Sequence, residues 1–224
     1  MNLDLQGHRV LVTAGASGIG LATARALVAE GARVLVCDVD RDALAALATR
    51  DAAITGLEAD VSKPADVVRL FGEVESRLGG LDTLVNNAGI AGPTAACEDV
   101  ALEDWQRTLD VNLTGMFLCA KHAIPHLRKS ANGSMVNLSS AAGRFGFALR
   151  SPYAASKWGV IGFTKSLSIE LGDAGVRVNA ICPGAVAGDR IDRVIAGKAK
   201  VRGLPFETVR DEFLGKTSLK RFVT

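Results

Sequence analysis

At 224 residues the chain has room for one domain around a single large core and little room for two. Its 48% apolar content lies in the globular range, and its longest apolar runs, such as Val10 to Val12 and Val34 to Cys37, are strand-sized, far short of the roughly 20 residues a membrane span needs. Acidic and basic residues are interleaved and the net charge is +2, so charge makes no case for a nucleic-acid or membrane partner.

The opening stretch, Met1 to Gly7, lacks a basic segment followed by an apolar one, and no secretory signal is read there. The cysteines Cys37, Cys97, Cys119 and Cys182 have the spacing of neither a zinc site nor a redox pair. Cys37 and Cys182 sit in apolar runs, where cysteine behaves as a small hydrophobe. No metal site and a reduced, cytoplasmic setting are expected.

In chain order, Val10 to Thr13 reads as a buried strand, followed by a helix over Ile19 to Glu30 with Gly31 at its C-terminal stop. Arg33 to Cys37 repeats the strand pattern, Arg41 to Arg50 the helical one, and Ile54 to Ala59 is a weaker strand. Ser62 is placed to cap a helix over Pro64 to Leu78. A strand at Thr83 to Asn86, one helix from Leu102 to about Leu127, strands at Ser134 to Leu138 and Val176 to Ile181, and a helix over Ala154 to Leu171 complete the alternation. Near-continuous apolar strands alternating with helices predict a parallel sheet covered on both faces. Right-handed crossovers make it an α/β, doubly wound, Rossmann-like three-layer sandwich in one domain over residues 1–224, with ligands beyond the carboxyl ends of the strands.

Thr13-Ala14-Gly15-Ala16-Ser17-Gly18-Ile19-Gly20 joins the first strand to its helix. Glycines there let a pyrophosphate approach the helix N-terminus, where free N–H groups favour an anion, although the spacing Gly-x-x-Gly-x-Gly also suits a plain tight turn. Asp38 ends the second strand, 18 residues beyond Gly20, at about the offset of a carboxylate that binds an adenosine ribose. Tyr153, the single tyrosine, precedes Lys157 by four residues, so a helix puts both on one face. An ammonium beside a phenol favours the phenolate, the tuning that acid–base chemistry on a carbonyl/alcohol pair needs; a surface pair on a helix has the same spacing.

Tyr153-Ala154-Ala155-Ser156-Lys157 resembles the Tyr-x-x-x-Lys signature of the short-chain dehydrogenase/reductase family, and Thr13 to Gly20 resembles that family's glycine turn. Asp60-Val61, Asn86-Asn87-Ala88-Gly89, Asn112, Ser140 and Pro183-Gly184 match further family elements colinearly. The resemblance implies a catalytic set of Asn112, Ser140, Tyr153 and Lys157. Ser140 would hydrogen-bond the carbonyl oxygen, Tyr153 would exchange the hydroxyl proton, Lys157 would favour the phenolate and hold the nicotinamide ribose, and Asn112 would position a water. It implies cofactor contacts at Gly15, Ser17, Gly18, Ile19, Gly20, Asp38, Asp60, Val61, Asn87, Ala88, Gly89, Tyr153, Lys157, Pro183, Gly184 and Val186. With Asp38 acidic and Val39 next to it, NAD is expected over NADP; Arg41 is the one nearby counter-candidate. Ser139 is read as structural.

Three departures stand out. Ala14 replaces the first glycine of the turn, which requires its backbone to lie in the ordinary β or α region. Gly188 stands where many members carry a threonine. Members usually run about 30 residues past a segment like Ser218 to Thr224, adding a helix and a last strand, so a truncated chain is expected. Substrate is expected near Ile90 to Gly92, between Ser140 and Tyr153, and under a variable lid over residues 184–215. Arg144, Arg150, Arg190 and Arg193 fall in those segments, as an anion clamp or as solvated surface charges. The implied activity is hydride transfer between NAD(H) and a small alcohol or ketone, by a dimer or tetramer packed through Phe117, Trp158 and Phe163. The alternatives are a non-catalytic dinucleotide-binding regulator, and an epimerase or dehydratase with transient oxidation.

Overall fold

Each strand of the computed structural model, which describes residues 3–224, is followed by a helical crossover. β1 (Arg9–Thr13) leads into α1 (Gly18–Ala29), β2 (Arg33–Asp38) into α2 (Arg41–Arg50), and β3 (Ile54–Glu58) into α3 (Pro64–Leu78). β4 (Thr83–Asn86) leads into α4 (Leu102–Leu109) and α5 (Gly115–Leu127), β5 (Ser134–Leu138) into α6 (Ser151–Glu170), and β6 (Arg177–Ile181) into α7 (Asp189–Arg202) and α8 (Phe206–Gly215). The sheet order is β3-β2-β1-β4-β5-β6 with every pairing parallel. The order reverses between β1 and β4, the point where a crevice opens in folds of this kind.

Strand pleating divides the core. Val10, Val12, Val34 and Val36 face the layer of α1 and α2, whereas Leu11, Leu35 and Cys37 face the layer of α3, α5 and α6. Both faces are therefore buried, and each such Val or Leu side chain contributes roughly 1.5–3 kcal/mol. The expected α/β doubly wound sandwich is this architecture. β6 forms one edge, and no seventh strand is present among the described residues. No described helix is long and apolar enough to cross a membrane.

Several local expectations change. The helix expected from Leu102 to Leu127 is present without a break, but α4 and α5 within it are joined by a π turn at Asp110–Thr114, in which the Gly115 N–H donates to the Asp110 carbonyl five residues back. Ser62 does not cap α3; Lys63 holds that position, and the Ser62 hydroxyl donates to Asp60 instead. α6 starts at Ser151, three residues early, since Pro152 tolerates a first turn. Phe163 packs partly against the core, while Phe117 and Trp158 remain half exposed, as an outward apolar face requires.

The end of the sheet away from the site is locked by one ion pair. Arg9 Nε and Nη2 donate to the two carboxylate oxygens of Asp82 at 2.8 and 2.7 Å, tying the start of β1 to the segment before β4. The Arg9 backbone N–H and the Ser130 hydroxyl add bonds of 2.9 and 2.7 Å. The Arg9 bonds hold the Asp82 carboxyl far below the usual carboxylate range, against desolvation. A carboxyl depressed on folding stabilises the native state above its unfolded pKa of about 4 and loses that contribution as pH falls through its folded value. Asp82→Asn is expected to cost about 2 kcal/mol at pH 7, read as a lower urea midpoint, with the gap to the parent protein shrinking as pH drops below about 4. An equal urea midpoint at pH 7 would remove this ion pair from the account of stability.

Candidate active site

Parallel pairing brings the carboxyl ends of the strands to one edge, and the loops leaving that edge carry most of the residues singled out in the sequence. After β1 the chain turns through Ala14 to Ser17 into α1. A Cβ at Gly20 would collide with the Ala14 carbonyl, and one at Gly15 would press on the Val36 side chain, so close packing demands both glycines. Gly18 lies at φ +52 with open space around it. The Ser17 side chain makes no capping bond, and the first turn of α1 has no acid. The free N–H groups and dipole of this 12-residue helix therefore face an open cradle.

The conformation of Ala14 corrects one expectation. It lies at φ +50, in the left-handed region, not in the β or α region. The turn geometry is kept although the residue is unsuited to it, because Asn87 clamps it. Asn87 Nδ2 donates to the Thr13 and Ala14 carbonyls, each at 2.9 Å, and the N–H groups of Asn87 and Ala88 both donate to Thr13 Oγ1 at 2.9 Å. Both Nδ2 hydrogens are thus committed to the turn, so Asn87 supports the cradle from behind.

Asp38 is buried at the end of β2. One oxygen accepts the Ala16 N–H at 3.1 Å, and the other accepts Val39 and Asp40 N–H groups at 2.8 and 3.2 Å. The carboxylate is thereby aimed at the rim of the glycine turn. Arg41 is turned away from it in a two-bond pair with Glu58, both bonds 2.8 Å. Asp60 is occupied by Ser62 and by Arg107 at 3.3 Å; desolvation opposes its ionisation, but these bonds outweigh it and lower its pKa. Val61 is buried where a Cβ on Gly115 would strike it, which makes its side chain a core element.

Asn112 lies in the π turn, fully buried. Its Oδ1 accepts the Ile90 N–H at 2.7 Å, and its Nδ2 donates to the Ile90 carbonyl and to Ser156 Oγ at 3.1 and 3.0 Å. It ties the loop after β4 to α6. Gly89 fits between them because a Cβ there would sit 3.1 Å from Asn112 Oδ1 and 3.4 Å from Lys157 Nζ. Lys157 donates from Nζ to the Leu138 carbonyl at 2.8 Å, and Nζ is 5.8 Å from the Tyr153 ring centre. Burial pushes the Lys157 pKa down to about 7; Arg190 adds to the fall and the Cys182 thiol opposes it. Tyr153 is in the first turn of α6, half-buried. Ser140 follows β5 and its Oγ accepts the Ala142 N–H at 3.2 Å, while Ser139 is buried and donates to the Lys157 carbonyl, the structural role expected of it. The Pro183 carbonyl accepts the Ala141 N–H at 2.9 Å, holding the segment after β6 beside Ser140, with Gly184 exposed next to it. Around Val186, Ala185 and Ala187 bond to Val223, which leaves the Val186 backbone groups for the other side.

The segment expected to form a lid is a helical pair. α7 and α8 meet over Ile195, Ala199 and Val209, and Phe213 packs edge-on against Phe147 at 6.2 Å. Of the arginines, Arg144 and Arg193 are exposed, Arg190 donates to the Gly89 carbonyl at 3.1 Å, and Arg150 is 2% exposed. Lys198 escaped the sequence reading. It sits in a helix rich in charge, yet it is buried, with the Phe147 and Phe213 rings around its Nζ at 4.2 and 5.5 Å. Among the described residues no group of three or more His, Cys, Asp or Glu could hold a metal.

Ala14→Gly should relieve the left-handed backbone and stabilise the protein by about 1 kcal/mol, a rise in Tm of about 2–4 °C by calorimetry. A lower Tm would show that the methyl group earns its place by packing.

A family model described as short chain dehydrogenase matches residues 8–198. The D-beta-hydroxybutyrate dehydrogenase of Cupriavidus necator is 38% identical, over 98% of this chain and 87% of its own. The 3-alpha-(or 20-beta)-hydroxysteroid dehydrogenase of Mycobacterium tuberculosis is 42% identical, over 83% of this chain and 72% of its own. Among solved structures, NAD+-bound xylitol dehydrogenase superposes with a TM-score of 0.92 at 29% identity, over 98% of this chain and 88% of its own. An actinorhodin polyketide ketoreductase with NADPH gives 0.91 at 35% identity, over 97% and 85%. A parallel sheet of order 3-2-1-4-5-6, a glycine cradle at its switch point and kinship across nearly the whole chain place this protein in the classical short-chain dehydrogenase/reductase family.

Proposed function

We propose that the protein is an NAD-dependent oxidoreductase of CH–OH groups, interconverting a small alcohol and its ketone. The observation that carries this reading is the placement of Tyr153, buried Lys157 and Asn112 at the edge of the sheet that also carries the glycine turn and the open N-terminus of α1. The residues present suit the cofactor: Gly15 and Gly20 let the turn pack tightly on Val36 and the Ala14 carbonyl, and Gly18 leaves open space for a pyrophosphate against the N-terminus of α1, with Ser17 and Ile19 exposed at its rim. Bound there, a nicotinamide would supply the hydride exchange.

The chain's own groups do the rest. Tyr153 takes the hydroxyl proton on oxidation and returns it on reduction. Lys157 is held by the Leu138 carbonyl close to Gly89, a position suited to a ribose, and its charge favours the phenolate when it is protonated. Ser140 offers a hydroxyl to the carbonyl oxygen as it gains charge. Asn112 keeps Ile90 and Ser156, and with them Gly89 and Lys157, in register. NAD is favoured over NADP because Asp38 lies at the ribose end of the cradle and Arg41, the residue that could receive a 2′-phosphate, is already paired with Glu58. A phosphate beside the buried carboxylate would be repelled. The relatives named above work on hydroxybutyrate and hydroxysteroids, which fits a secondary alcohol as the reacting group.

Tyr153→Phe is expected to lower kcat by about 10³-fold or more with little change in NADH binding, checked by absorbance of the reduced nicotinamide and by fluorescence titration. Retained turnover would remove Tyr153 as the acid–base group. Asp38→Ser should lower kcat/KM for NAD(H) by about tenfold and narrow the gap to NADP(H). If the parent protein already prefers NADP(H), the assignment of Asp38 is wrong.

A further inference from the structure

Arg150 is the largest fully buried side chain among the described residues, and nothing in the reaction derived above uses it. It precedes α6 by one residue and lies three residues before Tyr153. Its Nη2 donates to the Ala91 carbonyl, but Nε is buried without an acceptor. The guanidinium carbon is 5.3 Å from the Tyr153 ring centre and 6.0 Å from that of Phe147. The same Phe147 ring carries Lys198 Nζ, 4.2 Å from its centre. Two buried cations thus share one aromatic ring beside the proposed proton-transfer group. Arg190, at the start of α7, adds a third positive charge acting on Arg150.

Among the described residues, neither Arg150 nor Lys198 forms an ion pair with a carboxylate. Glu212, the acid that acts on Lys198 from α8, spends both oxygens on Arg202 at 2.5 and 2.8 Å. Burying a cation without a counter-charge is costly, and a strut to the Ala91 carbonyl needs only one of the five donors of a guanidinium. Burial and the neighbouring Lys216, Arg150 and Arg202 push the Lys198 pKa down to about 8, as expected of a cation lacking its anion. A planar guanidinium with an unused Nε donor and an ammonium on the same aromatic ring offer two positive groups to one carboxylate.

We propose that Arg150 and Lys198 form an anion subsite beside Tyr153, so that the substrate is a short hydroxy acid or the matching keto acid rather than a neutral alcohol. The proposal rests on the oxidoreductase reading, since Tyr153 marks the reacting end. The carboxylate takes no part in the bond changes, which remain those of an alcohol–ketone pair. It orients the substrate and supplies the missing counter-charge. Arg144 and Arg193, both exposed, lie outside this subsite.

The test compares 2-, 3- and 4-hydroxybutanoate with their methyl esters under saturating NAD+. At least one acid should exceed its ester by about tenfold or more in kcat/KM. In Lys198→Met and Arg150→Met the acid-to-ester ratio should fall by about tenfold. Circular dichroism checks that each variant folds, and Lys198→Met, on the lid, carries the test if Arg150→Met does not. A calorimetric titration of acetoacetate and methyl acetoacetate into the protein with NADH reads binding without turnover. Esters that match every acid in turnover, or acetoacetate binding no tighter than its ester, overturn the subsite while leaving the oxidoreductase reading intact. Acid-selective binding without turnover of any alcohol or ketone would support the subsite and count against the reaction instead.

Discussion

The site depends on the clamp between the ends of β1 and β4. Thr13 and Asn87 exchange four hydrogen bonds, counting those of the Ala88 N–H and the Ala14 carbonyl, across the point where the sheet order reverses. Parallel strands part at this point because their crossovers leave to opposite faces, and without a cross-link the two loops would be free to separate. The clamp holds the glycine turn over the N-terminus of α1, and it holds it even with an alanine at a left-handed position. From Asn87 the chain passes within two residues to Gly89, which is packed against Asn112 and Lys157. The glycine turn and the Asn112–Lys157 pair are therefore tied together by one polar cluster.

A second constraint is electrostatic. Lys157, Arg150 and Lys198 are all buried, and each has its pKa lowered chiefly by burial. The described residues give them carbonyls and aromatic rings, and no carboxylate paired at short range. A cleft lined by one sign of charge with apolar walls concentrates anions. Helices α7 and α8 belong to this arrangement, since Lys198 and Phe213 pack on the Phe147 ring. The packing of α7 and α8 and the burial of Lys198 are thus one feature.

Strand and helix periodicity, the glycine turn, the acid after β2 and the spacing of Tyr153 and Lys157 are local patterns, legible because each depends on residues close in sequence. They were enough to place the doubly wound sheet and the family. The errors arose where an outcome depends on what lies across the fold. The π turn at Asp110–Thr114 is invisible in a sequence that reads as one helix, because its bulge serves contacts of Asn112 with Ile90 and Ser156. Ser62 looked like a helix cap, but Asp60 and Arg107 claim its hydroxyl.

The sequence by itself determined the layer architecture and the family, since hydrophobic period and motif spacing carry that information along the chain. Only the tertiary structure decided what each polar group faces. Asn87 became a clamp, Arg41 a partner of Glu58, and Arg150 and Lys198 buried cations without a counter-charge. Solvation and pairing are properties of three-dimensional neighbours: a charged residue in a linear sequence reads as solvated, and whether it is depends on which rings and carbonyls fold over it.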